Sequence, residues 1–323
     1  MAPNRETMIR HRHSPLRGLL TGMALAAVML LGASSPARTQ QVTTLGYQMA
    51  GGNRTALMVD FSQGRPAPLV IVLHGANGTS EQIRRYLTWD EIAAREKLII
   101  VYPQGVSGSW NDGRPTDGRR FNPVSRVDDV AFIRRVVSEL ETQARIDRRR
   151  VYVVGVSAGG HMAFRLVCEA GEVFAAAAPM LATLSVIWKR SCPGQALPIV
   201  MVNGMQDRIT PWAGQGGGAD PDGALLSAPE TFAFLRARNG CSSYGERALP
   251  EQSTSGGTRV VIMDGTICRR AVRLYRVEGG GHHTPTRYDR RMRPAIGAML
   301  GQQNHDMESD EEVWVFFSDK TRS

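Results

Sequence analysis

Val151-Tyr152-Val153-Val154-Gly155-Val156-Ser157-Ala158-Gly159-Gly160 reads as an apolar strand that ends in a G-x-S-x-G turn and passes at once into a helix running to about Glu169. A strand-to-helix reversal this tight forces the central serine into a strained backbone geometry. Glycines on either side remove the side chains that would collide. The turn therefore presents the Ser157 hydroxyl at the carboxyl end of a buried strand, facing a helix N-terminus where the main-chain N–H of Ala158 is free to bind a developing anion. A Gly/Ser turn without chemistry is the bland alternative.

Outward from this turn, strand-type and helix-type segments alternate. Leu45–Met49 and Ala56–Phe61 flank Gly51-Gly52-Asn53 as an edge hairpin. Leu69–Leu73, Leu98–Tyr102, Phe174–Pro179 and Pro198–Asn203 are short apolar runs, as expected of strands buried on both faces. Val260–Met263 and Ala271–Val277 are the last strands. Helices are expected at about Ser80–Arg95, Asp128–Arg145 and Pro229–Arg238, with a closing amphipathic helix at Glu311–Phe317. The pattern predicts an α/β fold with a mostly parallel, doubly wound sheet flanked by helices. The Gly- and Arg-rich stretch Gln104–Val127 lacks periodicity, and a loop of that length is expected beside the functional site. Together with residues 213–226 it is expected to shape specificity.

Composition narrows the class further. The 323 residues are 42% hydrophobic and carry a formal charge of +9, so the chain has a core and is not disordered. Apart from Lys97, Lys189 and Lys320 the basic residues are arginines, scattered along the chain. That scatter predicts no nucleic-acid partner, and the runs Arg148–Arg150 and Arg290–Arg293 read as solvated surface. Residues 1–37 read as a signal peptide: Arg5, Arg10, Arg12 and Arg17 precede the apolar run Leu19–Leu31, and Ser35-Pro36-Ala37 supplies small residues for cleavage. The apolar run is shorter than the roughly 20 residues a membrane span needs, so no stable anchor is expected. The expected product is one domain, residues 38–323, secreted or periplasmic. Thiols exported to such a compartment pair. Cys168, Cys192, Cys241 and Cys268 allow three connectivities; nearest-neighbour pairing closes two modest loops, and four free thiols is the other reading. No C-x-x-C pair is present, so no zinc site is expected.

A serine hydroxyl needs a base, and the base needs a carboxylate to orient it. Among the histidines, His11 and His13 fall in the signal segment, His305 in a polar tail, and His161 on the helix after Ser157, where it is expected to pack. His74 precedes a glycine at a strand end, where its backbone shapes an anion-binding loop. His282 and His283 remain, on the Gly279-Gly280-Gly281 loop leaving a strand. Loops at the carboxyl ends of strands collect ligands and catalytic groups in sheets of this kind. A metal pair is the rival for two adjacent histidines, but no acidic partner stands nearby. Asp207, just beyond Pro198–Asn203, is the expected carboxylate, with Asp264 second; Asp128 and Asp129 read as helix caps.

These residues resemble the secreted polyhydroxybutyrate depolymerase and feruloyl esterase-like (LpqC-like) α/β-hydrolases. The likeness rests on Pro68–Gly75 (PLVIVLHG), Tyr102–Gly105 (YPQG), Ser109–Asn111 (SWN), Val127–Phe132 (VDDVAF), Val154–Gly160, Asn203–Trp212 and Gly279–His282. The resemblance implies a triad of Ser157, Asp207 and His282, an oxyanion hole from the N–H groups of Ala158 and Ala76, the same cysteine pairing, and no cofactor or metal. Where such proteins commonly read GGHTWPG, this chain has Gly280-Gly281-His282-His283-Thr284-Pro285-Thr286. Trp110, Trp212 and His283 are then the candidates for contact with substrate, a place in the core being the alternative for each tryptophan and the favoured one for Trp212. Because no polymer-binding domain follows residue 301, soluble esters or short oligomers are the expected substrates. An acyltransferase using the same triad and a non-catalytic binding module on this scaffold are the alternatives; a serine peptidase would need an extra gating domain.

Overall fold

The structure is a computed structural model describing residues 42–115, 127–143, 145–218, 220–251, 257–288 and 299–322. The signal segment, the run Arg290–Arg293 and the expected boundary at residue 37 lie outside the described residues. Ten strands form one sheet: β1 (Val42–Met49), β2 (Gly52–Asp60), β3 (Ala67–Leu73), β4 (Ile99–Pro103), β5 (Ile146–Val156), β6 (Ala176–Met180), β7 (Ile199–Gly204), β8 (Ser243–Ala248), β9 (Arg259–Thr266) and β10 (Val272–Glu278). Their spatial order is β1-β2-β4-β3-β5-β6-β7-β10-β9-β8. The six central strands, β4 to β10, run parallel, while β1 and β2 at one end and β9 and β8 at the other are antiparallel. This is an α/β-hydrolase fold.

Period-two alternation divides the central strands between two cores. Leu69, Ile71, Leu73, Val151 and Val153 face the side covered by α3 (Asp129–Thr142), α4 (Ala158–Glu169) and α6 (Ala228–Arg238). Val70, Val72, Tyr152 and Val154 face the side covered by α1 (Ser80–Tyr86), α2 (Trp89–Glu96) and α7 (Ser309–Phe317). Each such buried aliphatic side chain contributes roughly 1.5–3 kcal/mol. A short α5 (Val186–Arg190) lies after β6.

Three local differences from the sequence pattern have physical causes. The helix expected over Ser80–Arg95 is broken, because Leu87 is extended (φ −102°, ψ 165°) and the chain restarts at Trp89. The buried Asp310 of α7 stabilises that break by accepting from the Thr88 N–H at 2.7 Å and the Thr88 hydroxyl at 3.1 Å. Strand β8 pairs antiparallel with β9 and is wholly exposed, without the apolar alternation that would mark a strand in the sequence. Finally, β5 begins at Ile146, so Arg148–Arg150 lie on its solvated end rather than in a loop, and Arg148 and Arg149 are exposed.

Two disulfides tie the periphery, Cys168–Cys192 at the end of α4 and Cys241–Cys268 between the end of α6 and the β9–β10 turn. They close sequence separations of 24 and 27 residues, for which the chain-entropy account gives about 3.5 kcal/mol of stabilisation each. Replacing either pair by serines should lower the unfolding free energy by that amount in urea titration. The Cys168–Cys192 variant should lose more, since it leaves a hydroxyl at a fully buried site; equal or negligible losses would contradict this.

Candidate active site

Ser157 sits between β5 and α4 with φ 57° and ψ −117°, a conformation that costs a non-glycine residue about 1–3 kcal/mol. Close packing holds it there. A Cβ on Gly155 would come within 2.0 Å of the Gly159 carbonyl, and one on Gly159 within 2.4 Å of the Leu73 carbonyl. The Ser157 N–H donates to Met180 O of β6 at 2.9 Å, and its carbonyl accepts from the His161 N–H at 3.0 Å. Ala158 opens α4, where N–H groups have no acceptor within the helix.

The loop after β10 brings His282 to this turn. Its Nε2 lies 2.9 Å from Ser157 Oγ and its Nδ1 2.6 Å from Asp207 Oδ2. The other Asp207 oxygen accepts from the N–H groups of Ile209 and Thr210, at 2.7 and 2.8 Å. Asp207 and His282 are 5% and 8% exposed, so the carboxylate is shielded and oriented by its own turn. The arrangement favours the tautomer with a proton on Nδ1, leaving Nε2 to accept from the serine. An imidazole held this way can take a hydroxyl proton as the oxygen attacks and return it to a leaving group.

A second loop, His74–Thr79, runs beside the serine and carries Ala76. His74 fixes it: Nδ1–H donates to Gly75 O at 2.8 Å, Nε2 accepts from the Gly105 N–H at 2.9 Å, and the His74 carbonyl accepts from Trp110 Nε1–H at 2.8 Å. Burial holds His74 below the usual histidine range. Trp110 packs on the His74 ring with centroids 4.8 Å apart and is 1% exposed. Its place is thus behind the loop, correcting its assignment as a substrate contact. Trp212 is half-buried against the core, the place favoured for it over substrate contact. His283 is buried and has no partner at Nδ1 among the described residues.

The remaining candidates are elsewhere. Asp264 pairs with Arg273 across β9 and β10 at 2.5 and 3.0 Å. Asp128 does cap α3 through the Ala131 N–H, but Asp129 does not. It is fully buried, 2.7 Å from Arg54, and accepts from the Asn111 N–H at 2.6 Å, so it anchors the 104–112 loop that supports His74. His305 bonds to Thr286 O. No three His, Cys, Asp or Glu side chains converge as a metal site among the described residues.

A cleft of about 490 Å³ opens over Ser157 and His282. Beyond the His74–Thr79 loop its walls are Ile83 and Tyr86 of α1, Leu181 after β6, Ile209, Met299 and Leu300. None of these was singled out in the sequence, and among the described residues neither the 104–127 stretch nor 213–226 lines it. The signal that could have found the α1 wall is spacing, since Thr79, Gln82, Ile83 and Tyr86 fall on one helix face.

A hydroxyl, an imidazole and a buried carboxylate in line at the strand ends of this sheet define a serine hydrolase. The chain belongs to the esterase family: the family model described as "Esterase: Putative esterase" matches residues 49–221. It is 31% identical over 260 residues to "Putative esterase NocK" of Nocardia uniformis subsp. tsuyamanensis, a match spanning 75% of this chain and 74% of that protein. It is 29% identical over 235 residues to "Feruloyl esterase B" of Piromyces equi, spanning 69% of this chain but only 40% of the relative. The solved acetyl xylan esterase from Aspergillus awamori shares the fold, with TM-score 0.54 at 12% identity over 85% of this chain and 99% of that one.

His161, buried on α4 with Nδ1 3.0 Å from Thr183 O, gives a pH prediction. Burial first, then the nearby Arg114, push its pKa down from 6.5 to about 3, against opposing effects of Asp112 and the Thr183 carbonyl. The folded state binds the proton less well than the unfolded chain, so this stabilisation is complete above pH 6.5 and is lost as pH falls towards about 3. His74 acts in the same direction. The urea midpoint should fall through that window. His161→Gln, which keeps a donor for Thr183 O but cannot titrate, should flatten the fall; an unchanged slope would show that His161 is not responsible.

Proposed function

We propose that the protein is an exported carboxylic-ester hydrolase working through an acyl-enzyme. The observation that carries this reading is the unbroken chain Ser157 Oγ to His282 Nε2 at 2.9 Å and His282 Nδ1 to Asp207 at 2.6 Å. Ser157 Oγ attacks the ester carbonyl as His282 takes its proton, and Asp207 stabilises the resulting imidazolium. The N–H groups of Ala158 and Ala76 bind the oxyanion, each such donor being worth about 3 kcal/mol. Collapse of the tetrahedral intermediate expels the alcohol, protonated by His282. Water then attacks the acyl-enzyme with the same histidine as base, releasing the acid and free Ser157.

The substrates proposed are soluble feruloyl, hydroxyalkanoate-oligomer or related esters. The resemblance, the curated feruloyl esterase relative and the apolar cleft beside Ser157 support this class. Export is supported by the two disulfides and by the charged, apolar and small-residue order of residues 1–37. No described helix is long and apolar enough to cross a membrane.

Hydrolysis of p-nitrophenyl acetate and butyrate tests the chemistry. Ser157→Ala should abolish turnover, and Asp207→Asn should lower kcat by about ten-thousand-fold through the wrong imidazole tautomer. His282→Ala should be inactive while His283→Ala keeps measurable turnover. Undiminished hydrolysis by Ser157→Ala, or an active His282→Ala beside a dead His283→Ala, would sink the assignment.

A further inference from the structure

We infer that Tyr86 is the end wall of the cleft and sets the length of the apolar chain it accepts, an inference that rests on the ester-hydrolase reading above. Helix α1 begins directly after the loop that carries Ala76, and its face of Thr79, Gln82, Ile83 and Tyr86 forms one side of the cleft. From Thr79 to Tyr86 the helix advances about 10 Å at 1.5 Å per residue. An extended hydrocarbon advances about 1.25 Å per bond, so that wall matches a chain of about eight carbons or an aryl group of similar length.

The cleft is apolar along this path. Leu181, Ile209, Met299 and Leu300 also line it, and no Asp, Glu, Lys or Arg is among the described residues lining it. At Tyr86 the helix is joined to the histidine loop. Tyr86 is the last residue of α1, and its hydroxyl accepts from Thr284 Oγ1 at 3.3 Å, two residues beyond His282. Thr284 is buried, and its carbonyl accepts from Gln303 Nε2 at 2.9 Å. The Tyr86 ring is thereby tied across the cleft, from the helix to the histidine loop, where it blocks a longer chain. Beyond it the backbone turns away into the extended Leu87, so α1 offers no further wall.

The test is kcat/KM of the full enzyme across p-nitrophenyl esters from acetate to dodecanoate, with ethyl to dodecyl acetates as a second arm for a chain on the alcohol side. In one of the two arms, the wild type should fall by at least about tenfold between eight- and twelve-carbon chains. In that arm Tyr86→Ala should raise the twelve- to four-carbon ratio by about tenfold, and Tyr86→Trp should lower the eight- to four-carbon ratio similarly. Ratios within each variant remove the effect of lost folded enzyme, and the two variants move the limit in opposite directions, which a loss of stability alone would not do. Ester hydrolysis with length profiles unchanged by both substitutions overturns this inference and leaves the hydrolase reading standing. No hydrolysis of any ester by the wild type overturns both.

Discussion

The close approach of β5, α4 and the end of β3 is the constraint around which the site is arranged. Ser157 has a positive φ because the helix must turn back over its strand within one residue, and the two glycine positions leave no room for a gentler path. The strain is tolerable because both flanks are buried between parallel strands whose packing greatly exceeds it. Everything else in the site is measured from this fixed oxygen. The loops after β7 and β10 deliver Asp207 and His282 because β10 pairs in parallel with β7, bringing their carboxyl ends side by side.

The loop carrying Ala76 is held from behind rather than from the cleft. His74 bonds it to Gly105, Trp110 bonds and stacks on His74, and the Arg54–Asp129 pair clamps Asn111 one residue further on. A buried ion pair is costly to desolvate and becomes costlier when one partner is lost. Its position gives it a role: the pair fixes a loop whose regular structure is limited to one 3-10 turn, Val106–Gly108.

Much of this was legible in the sequence, for a physical reason. Strands buried on both faces need continuous apolar runs, and the G-x-S-x-G turn has few structural alternatives once a strand precedes it and a helix follows. Asp207 and His282 could be placed because each follows a recognisable strand. What escaped depended on partners distant in the chain. Asp129 looks like a helix cap until Arg54 is folded against it, and Trp110 looks like a pocket wall until His74 is seen in front of it. The break between α1 and α2 is invisible locally, since helical spacing continues through it. Strand β8 escaped because its residues are all exposed and show no apolar alternation, and α1 as a cleft wall escaped because Ile83 and Tyr86 resemble ordinary helix-face residues.

The break at Leu87–Thr88 has a consequence for timing. Its stabilising carboxylate, Asp310, lies 222 residues further along, in the last helix. Contacts that span such a separation cannot form until the intervening chain exists, and they are slow to find. The substrate-facing end of α1 therefore acquires its final boundary only when the carboxyl-terminal helix has been made and docked.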